Sequence, residues 1–447
     1  MKIRYFILFG LFFAILRGQE DSHASRPFPN GPGIQKSSLT EIHLDSVSIT
    51  TKMDSMVTNG IRNRAFPGAQ VLIAKDATII FHKAYGFHTY DSLQPVALDD
   101  IYDLASVTKI LGPLPALMKL VDEGKIALDT PFSTYWKPWK RRRDKKDLTL
   151  REILAHQAGL KPYIVFLNRT LKKNGRFKKR FLRTSQSRRF QNKASEGLFV
   201  KNRMYRKMYR IINRSEVSDD KTYRYSGLAF LIFPEVISQI TGKPYETYMQ
   251  DSFYKPLGME SFGFLPRRKG FTNGIVPTEV DTLFRHGLTQ GWVHDENAAL
   301  LGGVSGNAGL FGTAEDVARM MQMFVDGGVF NGQRYISEKT IAEFTRVQYP
   351  ENENRRGLGF DKPYLNNSQF SLADAYPAPE VSPQSFGHSG FTGTFVWADP
   401  VNGLVYIFLS NRVYPTRENR NLYTLNIRPA IQQVWYKALD DSKKRRP

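Results

Sequence analysis

The stretch Leu104-Ala105-Ser106-Val107-Thr108-Lys109 decides how this chain is read. A serine and a lysine three residues apart, at the head of an amphipathic run, stand on one helix face about one turn apart. The Lys109 amine can therefore reach the Ser106 hydroxyl. A serine hydroxyl is a weak nucleophile until a neighbour takes its proton. A lysine does so where burial or nearby positive charge lowers a pKa that starts near ~10.4. Such a pair recurs by chance on exposed helices, so its meaning rests on what surrounds it.

C-terminal to Ser106, Leu111, Leu114, Met118 and Val121 form an apolar stripe that Gly124 ends. Pro113 and Pro115 inside it predict a bend or a short first segment. Thr149-Leu150-Arg151-Glu152 has capping-box spacing and leads through Ile153 and Leu154 towards a stop at Gly159. His156 there reads as a hydrogen-bonded structural histidine. N-terminal to Ser106, Met53, Met56, Val57 and Ile61 predict a helix stopped by Pro67-Gly68, and residues 69–74 and 78–84 predict two strands about a Lys75-Asp76 turn. Further on, residues 226–241 predict a helix despite Pro234, closed by Gly242, and Thr313-Ala314-Glu315-Asp316 opens another that Gly327-Gly328 end. Residues 393–398 and 404–410 predict a strand pair around Asn402-Gly403, with a last helix from about Pro429 to Leu439. The expected fold class is α/β (α+β): an antiparallel sheet built from both ends (about 41–104 and 380–440), flanked by N- and C-terminal helices, with an all-helical region inserted over about 105–379.

The 447 residues, 41% apolar, suffice for a large core. Residues 1–18, with Lys2 and Arg4 ahead of an apolar run, have the pattern of a secretory signal, an uncleaved anchor being the alternative. Residues 19–40 read as a flexible lead-in and 441–447 as a basic tail. There is no cysteine, which leaves out disulfides and cysteine-linked lipid. The expected location is outside the cytoplasm, periplasmic or secreted. Net charge is +21, and residues 161–213 hold seventeen Lys and Arg against the single acid Glu196. This basic insertion is expected to meet an anionic envelope polymer or membrane surface, or to be a merely solvated lobe. Nucleic acid is not the expected partner of an exported chain.

Three short stretches could meet at the seam between sheet and helices: Ser106-Val107-Thr108-Lys109, Tyr225-Ser226-Gly227 and His388-Ser389-Gly390. In order and context they resemble the serine beta-lactamase and penicillin-binding-protein superfamily, most of all the class C enzymes and the related esterases and D-peptidases. The likeness runs from about Ala65 to the final helix, and takes in residues 148–160 and 306–313. It implies a serine hydrolase domain over about 41–440, working through an acyl-enzyme on a small-molecule or peptide substrate, cell-wall-derived ones included, without cofactor or metal. Ser106 would be the nucleophile, Lys109 its proton partner and Tyr225 the base that relays protons. His388 would hydrogen-bond Tyr225 or substrate. The backbone N–H groups of Ser106 and Phe391 would form the oxyanion hole, and Gly227, Ser389 and Gly390 would line the substrate.

Two departures matter. Gly227 stands where family members most often carry an asparagine whose amide binds the substrate's amide, and His388 replaces the usual lysine, removing a permanent cation. Both favour an ester or D-amino-acid amide over a beta-lactam as the preferred substrate. Separately, Tyr225 could be an ordinary buried tyrosine and His388 a cap on a strand turn. The rival reading is a non-catalytic binder of penicillin or cell-wall polymer using the same cleft and the basic segment. His294-Asp295-Glu296 lacks the His-to-His spacing of a helical zinc site.

Overall fold

Asp76 and Ala77 both adopt positive φ (48° and 59°), the left-handed pair that joins two strands in a tight hairpin with the twist of the sheet. Around that turn lie β2 (Gly68–Lys75) and β3 (Thr78–Gly86). The computed structural model describes residues 33–270 and 274–444, so the expected signal segment, most of the lead-in and the last tail residues lie outside the described residues. The main sheet has six strands in the order β1-β3-β2-β6-β5-β4, where β1 is Gln35–Lys36, β4 Phe386–Ser389, β5 Phe395–Asp399 and β6 Leu404–Ser410. Only the two-residue edge strand β1 runs parallel to its neighbour, which makes the sheet mixed at that edge. Pairing of β6 with β2, Tyr406 opposite Ile73 and Phe408 opposite Val71, unites the two ends of the chain.

Both faces of the sheet are covered, so its central strands carry the continuous apolar runs Val71-Leu72-Ile73-Ala74 and Leu404-Val405-Tyr406-Ile407-Phe408-Leu409, with the buried Gln70 of β2 donating to the Ala97 carbonyl at 2.6 Å. Val71, Ile73, Tyr406 and Phe408 face the helices Ser46–Arg62 and Ile427–Lys444, meeting Met53, Val57, Ile431 and Trp435. One residue on, Leu72, Ala74, Val405 and Ile407 belong to the larger core, which includes Val317, Met320 and Met321 of the helix Ala314–Val325.

The region expected to be all-helical also carries four short sheets among the described residues, one of them within the basic insertion: Leu182–Arg183, Asn192–Ser195 and Leu198–Val200. Strands of two to four residues are too short for a period of two to register. The expected helix over 226–241 is broken as well. A single turn, Ala229–Leu231, precedes the helix Phe233–Thr241, and Pro234 sits in the first turn of that second piece, where its missing N–H costs nothing. The prolines after Ser106 act as anticipated, with Thr108–Leu111 a short segment and Pro113–Asp122 restarting after Gly112.

Candidate active site

Ser106 lies on a turn that is held from three sides. Ala105 adopts a left-handed φ of 46°, which costs an L residue roughly 1–2 kcal/mol and persists only where its surroundings fix it. The Ala105 N–H donates to Asp103 Oδ1 at 2.8 Å, and the Leu104 N–H donates to the Leu310 carbonyl at 3.0 Å. From the sheet side, Thr392 Oγ1 donates to the Asp103 carbonyl at 2.8 Å and Thr394 Oγ1 to the Leu104 carbonyl at 3.1 Å. The turn between β4 and β5 thus grips the residues just before Ser106. Gly390 makes this approach feasible: a Cβ there would lie 2.0 Å from Thr394 Oγ1 and 2.7 Å from the Leu104 carbonyl oxygen.

The lysine reaches the serine. Lys109 Nζ is 2.9 Å from Ser106 Oγ and donates also to the Asn307 carbonyl at 3.1 Å, and the side chain is 2% exposed. Tyr225 is beside it, with Lys109 Nζ 5.3 Å from the centre of the phenol ring. His388 is 6.0 Å from the same ring, centre to centre. Its Nδ1 is 2.7 Å from the Ser389 carbonyl, which can only accept, so Nδ1 carries the proton and the buried Nε2 keeps its lone pair without a hydrogen-bond partner. Burial, with Arg356 and Lys109 adding positive charge, lowers the imidazole pKa to about 3. His388 is therefore neutral at any ordinary working pH and acts through hydrogen bonding, not as a cation.

Gly227 sits at the rim, its N–H donating to the Pro162 carbonyl at 3.2 Å, with nothing within 4 Å of where a Cβ would be. The space a family asparagine would fill is open. Phe391 is 46% exposed, its ring stacked on His294 at 5.6 Å and its carbonyl accepting from Arg412 at 2.7 Å.

Several neighbours of Tyr225 were not anticipated. His156 packs its ring 4.6 Å from the phenol ring and accepts the Ser226 N–H on Nδ1 at 3.2 Å. It is the hydrogen-bonded structural histidine expected, but its position is in the wall of the site. Burial holds it well below the usual imidazole range, with Arg356 and Lys109 adding to the effect. Arg356 places its guanidinium 5.7 Å from the centre of the Tyr225 ring and pairs with Asp361 at 2.9 Å. Asp361 also binds Arg355 and exchanges backbone hydrogen bonds with Gly387 on β4. Tyr225 is thus flanked by two permanent or potential cations and two neutral imidazoles. The only trace of Arg356 in the sequence is an arginine pair ahead of a glycine-containing loop, which carries no periodicity. His294 and Glu296 enter one ion-pair network, His294 binding Glu279 at 2.8 Å and Glu296 pairing at 2.8 Å with Arg417, which itself pairs with Glu279 at 2.6 Å, while Asp295 caps the following helix.

Comparisons with known proteins bear on the family and the fold. Residues 53–428 match the model of the Beta-lactamase family. A protein of Salmonella agona (strain SL483) named "Putative D-alanyl-D-alanine carboxypeptidase" is 30% identical over 432 residues, covering 90% of this chain and 93% of that protein. Among solved structures, EstCE1, described as a hydrolase with promiscuous acyltransferase activity, superposes with a TM-score of 0.63 at 17% identity, over 86% of this chain and 98% of the other. D-amino acid amidase from Ochrobactrum anthropi SV3 superposes with a TM-score of 0.59 at 16% identity, over 89% and 99%. At such identities the superpositions speak for the fold. The chain belongs to the beta-lactamase family of serine hydrolases.

Proposed function

We propose that this chain cleaves an ester or a D-amino-acid amide through an acyl-enzyme on Ser106, in the manner of the class C-like branch of its family. The observation that carries the reading is the 2.9 Å approach of Lys109 Nζ to Ser106 Oγ in a buried setting beside Tyr225. In this scheme Lys109 takes the Ser106 proton as Oγ attacks the carbonyl carbon. The N–H groups of Ser106 and Phe391 hold the developing oxyanion, each such donor contributing about 3 kcal/mol. Tyr225 passes a proton to the leaving oxygen or nitrogen as its bond to carbon breaks. Water, deprotonated by the same group, then attacks the acyl carbon; the bond from that carbon to Ser106 Oγ breaks, and Lys109 returns its proton to the released oxygen. The neutral His388 and the side-chain-free Gly227 support a preference for esters and simple amides over beta-lactams. The relatives named as carboxypeptidase and amidase support a D-configured substrate, and the N-terminal apolar run supports export.

The test is covalent trapping. A fluorophosphonate should label wild-type protein on Ser106, and Ser106→Ala should lose both the label and turnover of a nitrophenyl ester while its melting temperature is retained. Turnover that survives in Ser106→Ala would overturn the assignment.

A further inference from the structure

The basic insertion is not a set of compensated surface charges. Of its seventeen cations, Lys161 pairs with Glu216 and Lys193 with Glu196, and the other fifteen form no ion pair among the described residues. Its helix, Met204–Arg214, contains no acid and divides cleanly. Met204, Met208 and Ile212 are buried, while Arg206, Arg210 and Arg214, two positions on in each case and so on the opposite side, are exposed. Arginines at this spacing form a ladder with steps of about 6 Å along the axis.

A second basic run, distant in sequence, is brought alongside. Trp136 Nε1 and Trp139 Nε1 both donate to Asn213 Oδ1, at 2.8 and 3.0 Å, and the Trp136 ring packs on Tyr209 at 5.4 Å. This fastens Lys137, Lys140 and Arg141, all exposed and without ion pairs among the described residues, beside the arginine helix. Folding thus concentrates like charge that repels itself, a cost that an anionic occupant would relieve.

We propose that the face formed by the helix Met204–Arg214 and the segment 137–141 docks a flexible phosphodiester polymer that is not a nucleic acid, such as a poly(polyol phosphate) of the cell envelope. Guanidinium groups bind phosphate in a bidentate manner, and the ladder offers one group for each successive charge of an extended chain. The aromatic residues interleaved with these cations do not form an open stacking platform: Phe166, Phe181, Phe190, Trp136 and Trp139 are buried, and the half-buried Tyr205, Tyr209 and Phe177 are engaged edge-on, Tyr205 with Tyr209 at 5.8 Å, Tyr209 with Trp136 at 5.4 Å and Phe177 with Phe284 at 6.2 Å. Single-stranded nucleic acid is held by such platforms, and an interfacial helix needs an apolar face turned outward, which here is turned into the core.

Fluorescence anisotropy with labelled poly(glycerol phosphate) tests this on the full chain. Wild-type protein should bind, with log K falling linearly against log salt. The triple substitution Arg206→Gln, Arg210→Gln and Arg214→Gln keeps helix propensity. It should weaken binding about tenfold or more and flatten the salt slope by about 0.7 for each arginine that contacts a phosphate. Turnover of a nitrophenyl ester should not change, so the outcome is independent of the assignment of Ser106. Absence of binding at low salt, or equal affinity and slope for the triple variant, would overturn the proposal. Tighter binding to an oligonucleotide with the same number of phosphates, or binding only to phosphatidylglycerol vesicles, would overturn the choice of occupant.

Discussion

Replacing Gly390 with alanine tests how the sheet positions Ser106. The added methyl would lie 2.0 Å from Thr394 Oγ1, 2.7 Å from the Leu104 carbonyl oxygen and 3.3 Å from Ala105 Cβ. The first two atoms are themselves joined by a hydrogen bond of 3.1 Å, so rotating the threonine away forfeits that bond and still leaves the carbonyl in the way. Losing the hydrogen bond costs about 1 kcal/mol, and forcing a methyl into packed surroundings costs about 1–3 kcal/mol more. A total of roughly 2–4 kcal/mol is expected, read as a lower denaturation midpoint and a melting temperature reduced by several degrees. Relief requires the turn carrying Phe391 to move away from Leu104-Ala105-Ser106. A displacement of about 1 Å between nucleophile and oxyanion donor costs about 100-fold in rate. Stopped-flow acylation by a nitrophenyl ester should therefore slow by about that factor, with ester binding less affected. If Gly390→Ala melts like wild type and acylates at the wild-type rate, the close approach of this turn to the nucleophile is not what positions Ser106.

Three further outcomes follow from the same contacts. Gly227→Asn should fold normally, because nothing occupies the space beside Gly227, and should raise the ratio of amide to ester turnover, measured with matched D-alanyl substrates. In acid, the unfolded chain protonates the residue 388 imidazole from about pH 6.5 downward, whereas the folded protein does so only near pH 3. Stability supplied by the neutral form is therefore lost as pH falls through this window. Urea titrations should show wild type losing about 1.4 kcal/mol per pH unit more than His388→Gln between pH 6 and pH 4. Thr149→Ala removes the oxygen that accepts the Glu152 N–H at 3.2 Å and should destabilise the protein by about 1 kcal/mol in thermal or urea unfolding.

Features whose cause is local were legible in the chain. The capping box at Thr149 and Glu152, the hairpin turn after Lys75 and the restart of the helix at Pro113 each depend on a few neighbouring residues, and all are present in the fold. The reach of Lys109 to Ser106 is of the same kind, since three residues of helical backbone set it. The break before Pro234 was legible too, but it was weighed wrongly: proline is costly inside a helix and suited to its first turn, so it marked a beginning.

What the sequence by itself determined was therefore the closeness of Lys109 to Ser106, the strands and helices of the two ends, and the presence of an uncompensated basic segment. Tertiary structure alone decided that His156 and Arg356 enclose Tyr225, that Asp361 ties Arg356 to β4, and that Asn213 gathers a second basic run beside the first. The physical reason is range. Capping, turns and helical spacing act over a few residues and leave a pattern, whereas the packing of His156 and Arg356 on Tyr225 and the hydrogen bonds of Trp136 and Trp139 to Asn213 join residues distant in sequence, whose identities carry no mark of their partner until the core closes around them.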